Sequence, residues 1–245
     1  MRLTSWGGGP QPEALVRGAR IAEAPGVTDA PSTRRLPQVL LGLYAILFIV
    51  CGIAPYDRAV WWAENLPIVA VVAVIAWFAR RHRFSTAAWL FMAILPALHT
   101  IGGHYTFERV PFGFVTDFFG FERNHYDRMA HFTVGFYAYP MAELLVAWRL
   151  INARWIAYVF PLSVILALAG LYELFEWQYA VLGDPAAGHA VLGSQGDVWD
   201  AQKDILADGL GALFALGVFA LSNRNRASGG ATVAVPRREE TRSTI

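Results

Sequence analysis

The chain has 245 residues, of which 56% are hydrophobic and only 16% charged, with a mean hydropathy of +0.38. Soluble domains carry about 25% charged residues, so this composition argues against a water-soluble globule and for a helical membrane protein. A net charge of +1 without a basic stripe gives no footing for nucleic acid, and the single cysteine, Cys51, excludes an intrachain disulfide or a thiolate metal site.

Residues 1–35 are rich in Gly, Pro and Arg and lack a continuous apolar run, which predicts a disordered cytoplasmic tail rather than a signal peptide. Six apolar stretches follow, at about 36–54, 60–79, 84–102, 129–148, 154–177 and 202–222. Each is near the roughly 20 residues that cross the hydrocarbon as a helix. They are continuous rather than alternating, which predicts helices and not a barrel. Residues 223–245 read as a second disordered cytoplasmic tail. The expected architecture is an all-α membrane protein, a single bundle of about six transmembrane helices over residues 36–222.

Arginine sets the expected orientation. With the N-terminus inside, the cytoplasmic flanks hold Arg34, Arg35, Arg80, Arg81, Arg83, Arg149, Arg154, Arg224 and Arg226, nine in all. The opposite connections hold five basic residues, Arg58, Arg109, Arg123, Arg128 and Lys203. Both termini are therefore expected in the cytoplasm.

That topology gathers the acids and imidazoles on the outer side. His99 and His104 end the third span; His125, Asp127 and His131 begin the fourth; Glu173 and Glu176 end the fifth; Asp204 and Asp208 begin the sixth. Asp127 and His131 are four apart and share a helix face, as do Glu173 and Glu176 at a spacing of three. Asp200, Asp204 and Asp208 form a stripe whose last member lies inside the apolar run, and an ionisable group at such depth faces the bundle interior or water.

A cation site follows as one reading. Asp127 and His131 would supply two ligands, with His104, Glu173, Glu176, Asp204 or Asp208 completing the shell. Mixed imidazole and carboxylate ligands suit a divalent metal such as Zn, Mn or Fe, which can activate water against a lipid or envelope substrate. Six of these seven residues, Asp127, His131, Glu173, Glu176, Asp204 and Asp208, are then the candidate catalytic groups of a hydrolase-like membrane enzyme.

Plainer readings stand beside it. Asp197 can cap the last helix with Asp200 complementing its dipole. Asp127 with Arg128, or Glu173 with another arginine, can be structural ion pairs. Tyr126, Tyr172, Trp177 and Trp199 fit an interfacial belt, and His125 and His189 fit loop surfaces. A non-enzymatic protein whose polar network fixes packing or docks a partner, and an ion-coupled transporter, are the alternatives. Glu143 is the one acid noted towards the inner end, near enough to snorkel out. No G-x-S-x-G elbow, phosphate-binding loop or membrane lipid phosphatase signature is present. Ala207, Gly211 and Ala215 form a small-residue row suited to close helix approach, and Pro67, Pro96 and Pro161 fall inside spans, where they can shape a cavity.

Five blocks in order, "GIAPYDRAVW" (52–61), "GGHYTFERVPFG" (102–113), "RNHYDRMAHFTVGF" (123–136), "YELFEW" (172–177) and "LGSQGDVWDAQKDI" (192–205), resemble the YjdF-like family of bacterial inner-membrane proteins. Ser194 stands where members often carry Thr. The resemblance covers residues 36–222 and implies a multi-pass inner-membrane protein whose partner is the lipid bilayer. It implies no activity, cofactor or catalytic residue.

Overall fold

In the computed structural model, which describes residues 35–182, 195 and 197–229, every regular element among the described residues is a helix. Helix α1 spans Leu36–Gly52, with a proline in its first turn where no N–H partner is needed. It stops before Pro55, whose ring disfavours helical backbone at Ala54, and Ala54 takes a φ of 51°. Arg58 donates to the Gly52 carbonyl at 2.6 Å, so one orphan group at the α1 terminus is satisfied. Asp57 caps α2 (Arg58–Ala79) by accepting from the Ala59 and Val60 amides at 2.8 and 2.9 Å. Ser85 caps α3 (Thr86–Tyr105) and is itself held by Glu143. The Glu143 carboxylate accepts from the Ser85 amide at 2.8 Å and its hydroxyl at 2.5 Å, and lies 3.2 Å from His82. Glu143 therefore does not snorkel into solvent; it ties the α2–α3 turn to the fourth predicted span.

The connection after α3 contains a short helix, α4 (Gly113–Phe119), which apolar periodicity over seven residues is too short to announce. The fourth predicted span is not one uniform helix. It is α5 (Tyr126–Val134), a 3-10 turn (Gly135–Tyr137) and α6 (Ala138–Ala147). Helices α7 (Ile156–Leu182) and α8 (Asp200–Gly229) complete the order. Four helices, α2, α3, α7 and α8 as far as Arg224, are long and apolar enough to cross a bilayer, and α1 is a shorter apolar helix. Helix α8 runs past the expected boundary at 222. Most of both expected tails, and His189, lie outside the described residues.

Helices α3, α5, α6, α7 and α8 pack around a core of Met92, Phe136, Tyr139, Ile165, Leu216 and Phe219, with Ala88, Ala138, Ala142, Ala212 and Ala215 at the tightest points. A smaller cluster of Phe107, Val110, Tyr126 and Ala130 closes the α3–α5 end. Tyr126 is buried there and donates to the Leu98 carbonyl at 2.8 Å, so it is not a belt residue. Trp177 and Trp199 are exposed, as that role requires. Leu43, Ile46, Ile49, Leu171, Leu174 and Leu213 are likewise exposed, a distribution that suits lipid as solvent.

The α5–α8 crossing is the closest approach in the bundle. A Cβ at Gly211 would collide with the Phe132 carbonyl, and one at Gly135 with the backbone of Asp208, Gly211 and Ala212. Both obstacles are main chain and cannot rotate away. Gly211→Ala and Gly135→Ala are each expected to cost about 1–3 kcal/mol, the usual range for overpacking. Gly170→Ala in α7, where no atom lies within 4 Å of the new methyl group, should be neutral or slightly stabilising. Thermal melts of the purified protein in one detergent check the contrast; equal melting of all three variants would refute it.

Candidate functional site

Two layers of charge lie where α5 meets the start of α8. The outer layer is an ion-pair network. Asp197 accepts from the Trp199 amide at 3.1 Å, a turn bond that precedes the helix start at Asp200 rather than the helix cap read from the sequence, and its other oxygen accepts from Lys203 at 2.6 Å. Arg123 bridges Asp197 and Asp200 at 3.1 and 3.0 Å. Arg128 donates to Asp200 and pairs with Asp204, one helical turn deeper. Asp127, the expected partner of Arg128 in the plainer reading, is not paired with it.

The inner layer has no arginine to itself. His131 and Asp127, on one face of α5, meet Asp204 and Asp208, on one face of α8. The His131 Nδ1 lies 3.3 Å from Asp208 Oδ2, while its Nε2 is 3.8 Å from both Asp127 and Asp204. One ligand atom each from Asp127, His131 and Asp204 falls within 4.8 Å of the others. Asp208 is only 1% exposed, and its Oδ1 has no hydrogen-bond partner; the same holds for the buried Glu173 Oε1. Buried carboxylate oxygens without donors are costly unless a proton or a cation compensates them.

Of these groups Asp127, His131 and Asp208 border a cavity of about 230 Å³, whose wall also includes Tyr172, Glu176 and, from α2 and α3, Glu64 and His99. Glu64 Oε2 accepts from Tyr172 at 3.0 Å and is 3.1 Å from His99 Nε2. Tyr172 therefore works inside the cavity rather than in an interfacial belt. Glu176 is buried and makes no hydrogen bond among the described residues. Pro67 lines the same cavity. His104 is elsewhere: its Nδ1 donates to the Cys51 carbonyl at 2.7 Å and joins α3 to α1. His125 sits in the loop beside Phe121, and burial together with Arg123, Arg128 and Lys203 lowers its pKa below the ordinary imidazole value. Sequence reading passed over Glu64, although the residue lies within a predicted span and an intramembrane acid is itself a signal.

The network's charge state has a measurable consequence. The Lys203 ammonium and the Trp199 amide hold Asp197 down at about 2, against an ordinary 3.8. A carboxylate whose folded pKa is depressed adds stability that is complete above the unfolded value and is lost as pH falls through the folded one. The melting difference between wild type and Asp197→Asn should thus be level from pH 8 to 5 and shrink between about pH 4 and 2. A difference that instead grows with acid would contradict the assignment. Arg128→Met leaves Asp200 with Arg123 alone and Asp204 with only the His131 imidazole 3.8 Å away, and should cost about 3 kcal/mol or more by thermal denaturation.

Comparison with known proteins agrees with this architecture. The chain is 33% identical over 187 residues to the inner membrane protein YjdF of Escherichia coli (strain K12), covering 74% of this chain and 89% of that protein. No solved structure matches it. Residues 36–225 match the model of a family described as predicted membrane protein (DUF2238). The chain is a membrane protein with several apolar helices, and it belongs to that YjdF-like family.

Proposed function

We propose that the chain is a multi-pass inner-membrane enzyme of hydrolytic type whose cavity holds a divalent cation on Asp127, His131 and Asp204. The observation that supports this most directly is the setting of His131. Its Nδ1 lies 3.3 Å from the buried Asp208, and its Nε2 sits beside two carboxylates, each 3.8 Å away. Metal-binding histidines characteristically donate their other ring N–H to a carboxylate, which fixes tautomer and orientation. The partnerless oxygen of Asp208 lies on the same cavity wall, and this mixture of imidazole and carboxylate suits Zn, Mn or Fe. When bound, such a cation supplies Lewis acidity towards an ester or phosphoryl oxygen. Glu173 and Glu176 are the groups left to accept and return a proton, and Arg128 keeps Asp204 oriented.

In this reading α1, α2, α3, the α5–α6 pair, α7 and α8 are six crossings of one unit over residues 36–222. The arginine bias puts both tails in the cytoplasm and the cavity near the outer surface. A non-enzymatic role has one observation of its own in favour: Asp197, Asp200 and Asp204 all meet basic side chains, as a packing network would require. Transport is less well supported, since apolar side chains line the space beyond the cavity among the described residues.

Elemental analysis of the purified full-length protein separates the readings. About one Zn, Mn or Fe per chain is expected, lost in Asp127→Ala and in His131→Ala. Asp208→Asn should weaken the same metal by about 10–100-fold, because it acts through the imidazole. Folded wild-type protein that stays metal-free when titrated with each ion would leave only the packing role.

A further inference from the structure

The polar cavity adjoins a second, apolar space. Val71, Leu95, Val134 and Leu168 line the cavity on one side and, on the other, line this larger space of about 570 Å³. That space is a groove between α2 and the α6–α7 pair, walled by apolar side chains such as Val74, Met141, Leu145 and Phe160. Its one hydroxyl-bearing neighbour, Tyr137, donates to the Met92 carbonyl at 3.0 Å and offers nothing to a polar ligand. From Val134 to Trp148 the groove follows about 20 Å of helix at the usual rise, against a hydrocarbon core of about 30 Å. A dry trench of that length suits an alkyl chain and nothing hydrated.

The head of the cavity has the opposite chemistry. Four carboxylates line it, Glu64, Asp127, Glu176 and Asp208, against the two imidazoles of His99 and His131. Arg128 is engaged with Asp200 and Asp204 and does not balance them. Even with a divalent cation on Asp127, His131 and Asp204, Glu176 keeps a buried carboxylate without a hydrogen bond among the described residues. A head carrying an ammonium group supplies both the charge and the N–H donors that this wall lacks. We infer that the ligand is an ammonium-bearing membrane lipid, its alkyl chain in the α2/α6–α7 groove and its head in the carboxylate cavity, entering sideways from the bilayer. The inference rests on the cavity being the functional site, and it names the class of substrate.

The test uses full-length protein in nanodiscs containing a trace of phosphatidylethanolamine with a diazirine in one acyl chain. A matched phosphatidylglycerol probe carries the same chain without the ammonium. Photolabelling is expected to map to α2, α6 and α7 peptides, at least tenfold more strongly for the ethanolamine lipid. Val74→Trp and Met141→Trp, which fill the groove and leave the cavity residues in place, should each reduce that labelling at least tenfold while metal content stays at the wild-type level. Should both variants melt early, the milder Leu145→Phe serves, with a smaller loss expected. Labelling spread evenly around the bundle, equal labelling by the two lipids, or labelling indifferent to the filled groove overturns the inference. Metal-free protein that still labels selectively refutes only the cation assignment, and metal-loaded protein that labels evenly refutes only the lipid one.

Discussion

The backbone contact of α8 with α5 and the 3-10 turn that follows it, at Gly211 and Gly135, is the constraint on which the site depends. With side chains absent at both positions, the Phe132 carbonyl can sit against Gly211 itself. That proximity carries the preceding turns of the two helices past each other face to face. The i,i+4 pair on α5, Asp127 and His131, therefore meets the i,i+4 pair on α8, Asp204 and Asp208, rather than lipid. In a membrane, helices gain little from excluding apolar surface from one another, so dispersion at such close crossings does much of what the hydrophobic effect does in water.

Charge is then divided by depth. At the rim, Arg123, Arg128 and Lys203 face Asp197, Asp200 and Asp204, and each carboxylate has a cation within reach. One turn further in, the basic side chains among the described residues are imidazoles, while Asp127, Asp208, Glu173 and Glu176 are added. The outer layer is what a stable helix terminus near a headgroup region needs. The inner layer is more acidic than stability alone would select, because replacing buried ionic groups with apolar ones of similar volume is often neutral or favourable. Such an imbalance is where chemistry or binding is usually found.

Much of this could be read from the chain itself. Spacing placed Asp127 with His131 and Asp204 with Asp208, and counting spans put their helix ends on one side. The small-residue row through Gly211 pointed to a close crossing, although its partner, Gly135, sits in a 3-10 turn that no periodicity predicts. What could not be read was which residue takes which partner. Arg128 faces α8 rather than its neighbour Asp127, and His104 bends towards α1, because these choices depend on the rotation of each helix about its axis. Glu64 and Tyr172 escaped for a related reason: one acid in a long apolar run, and one tyrosine near a helix end, look the same whether they face lipid or a cavity until their neighbours are known.

The cavity is built from unequal walls. Its α5–α8 side is locked main chain to main chain, whereas α2, which supplies Glu64 and Ile68, packs mainly on α3 among the described residues. A slide of α2 along α3 would alter the span from Glu64 to Tyr172 and leave the imidazole and its carboxylates undisturbed. The cavity thus pairs a wall fixed by main-chain contact with one held by side-chain packing and the Tyr172–Glu64 hydrogen bond. Hydrophobic mismatch, which tilts or shifts whole helices, would therefore reach the α2 wall before the α5–α8 wall.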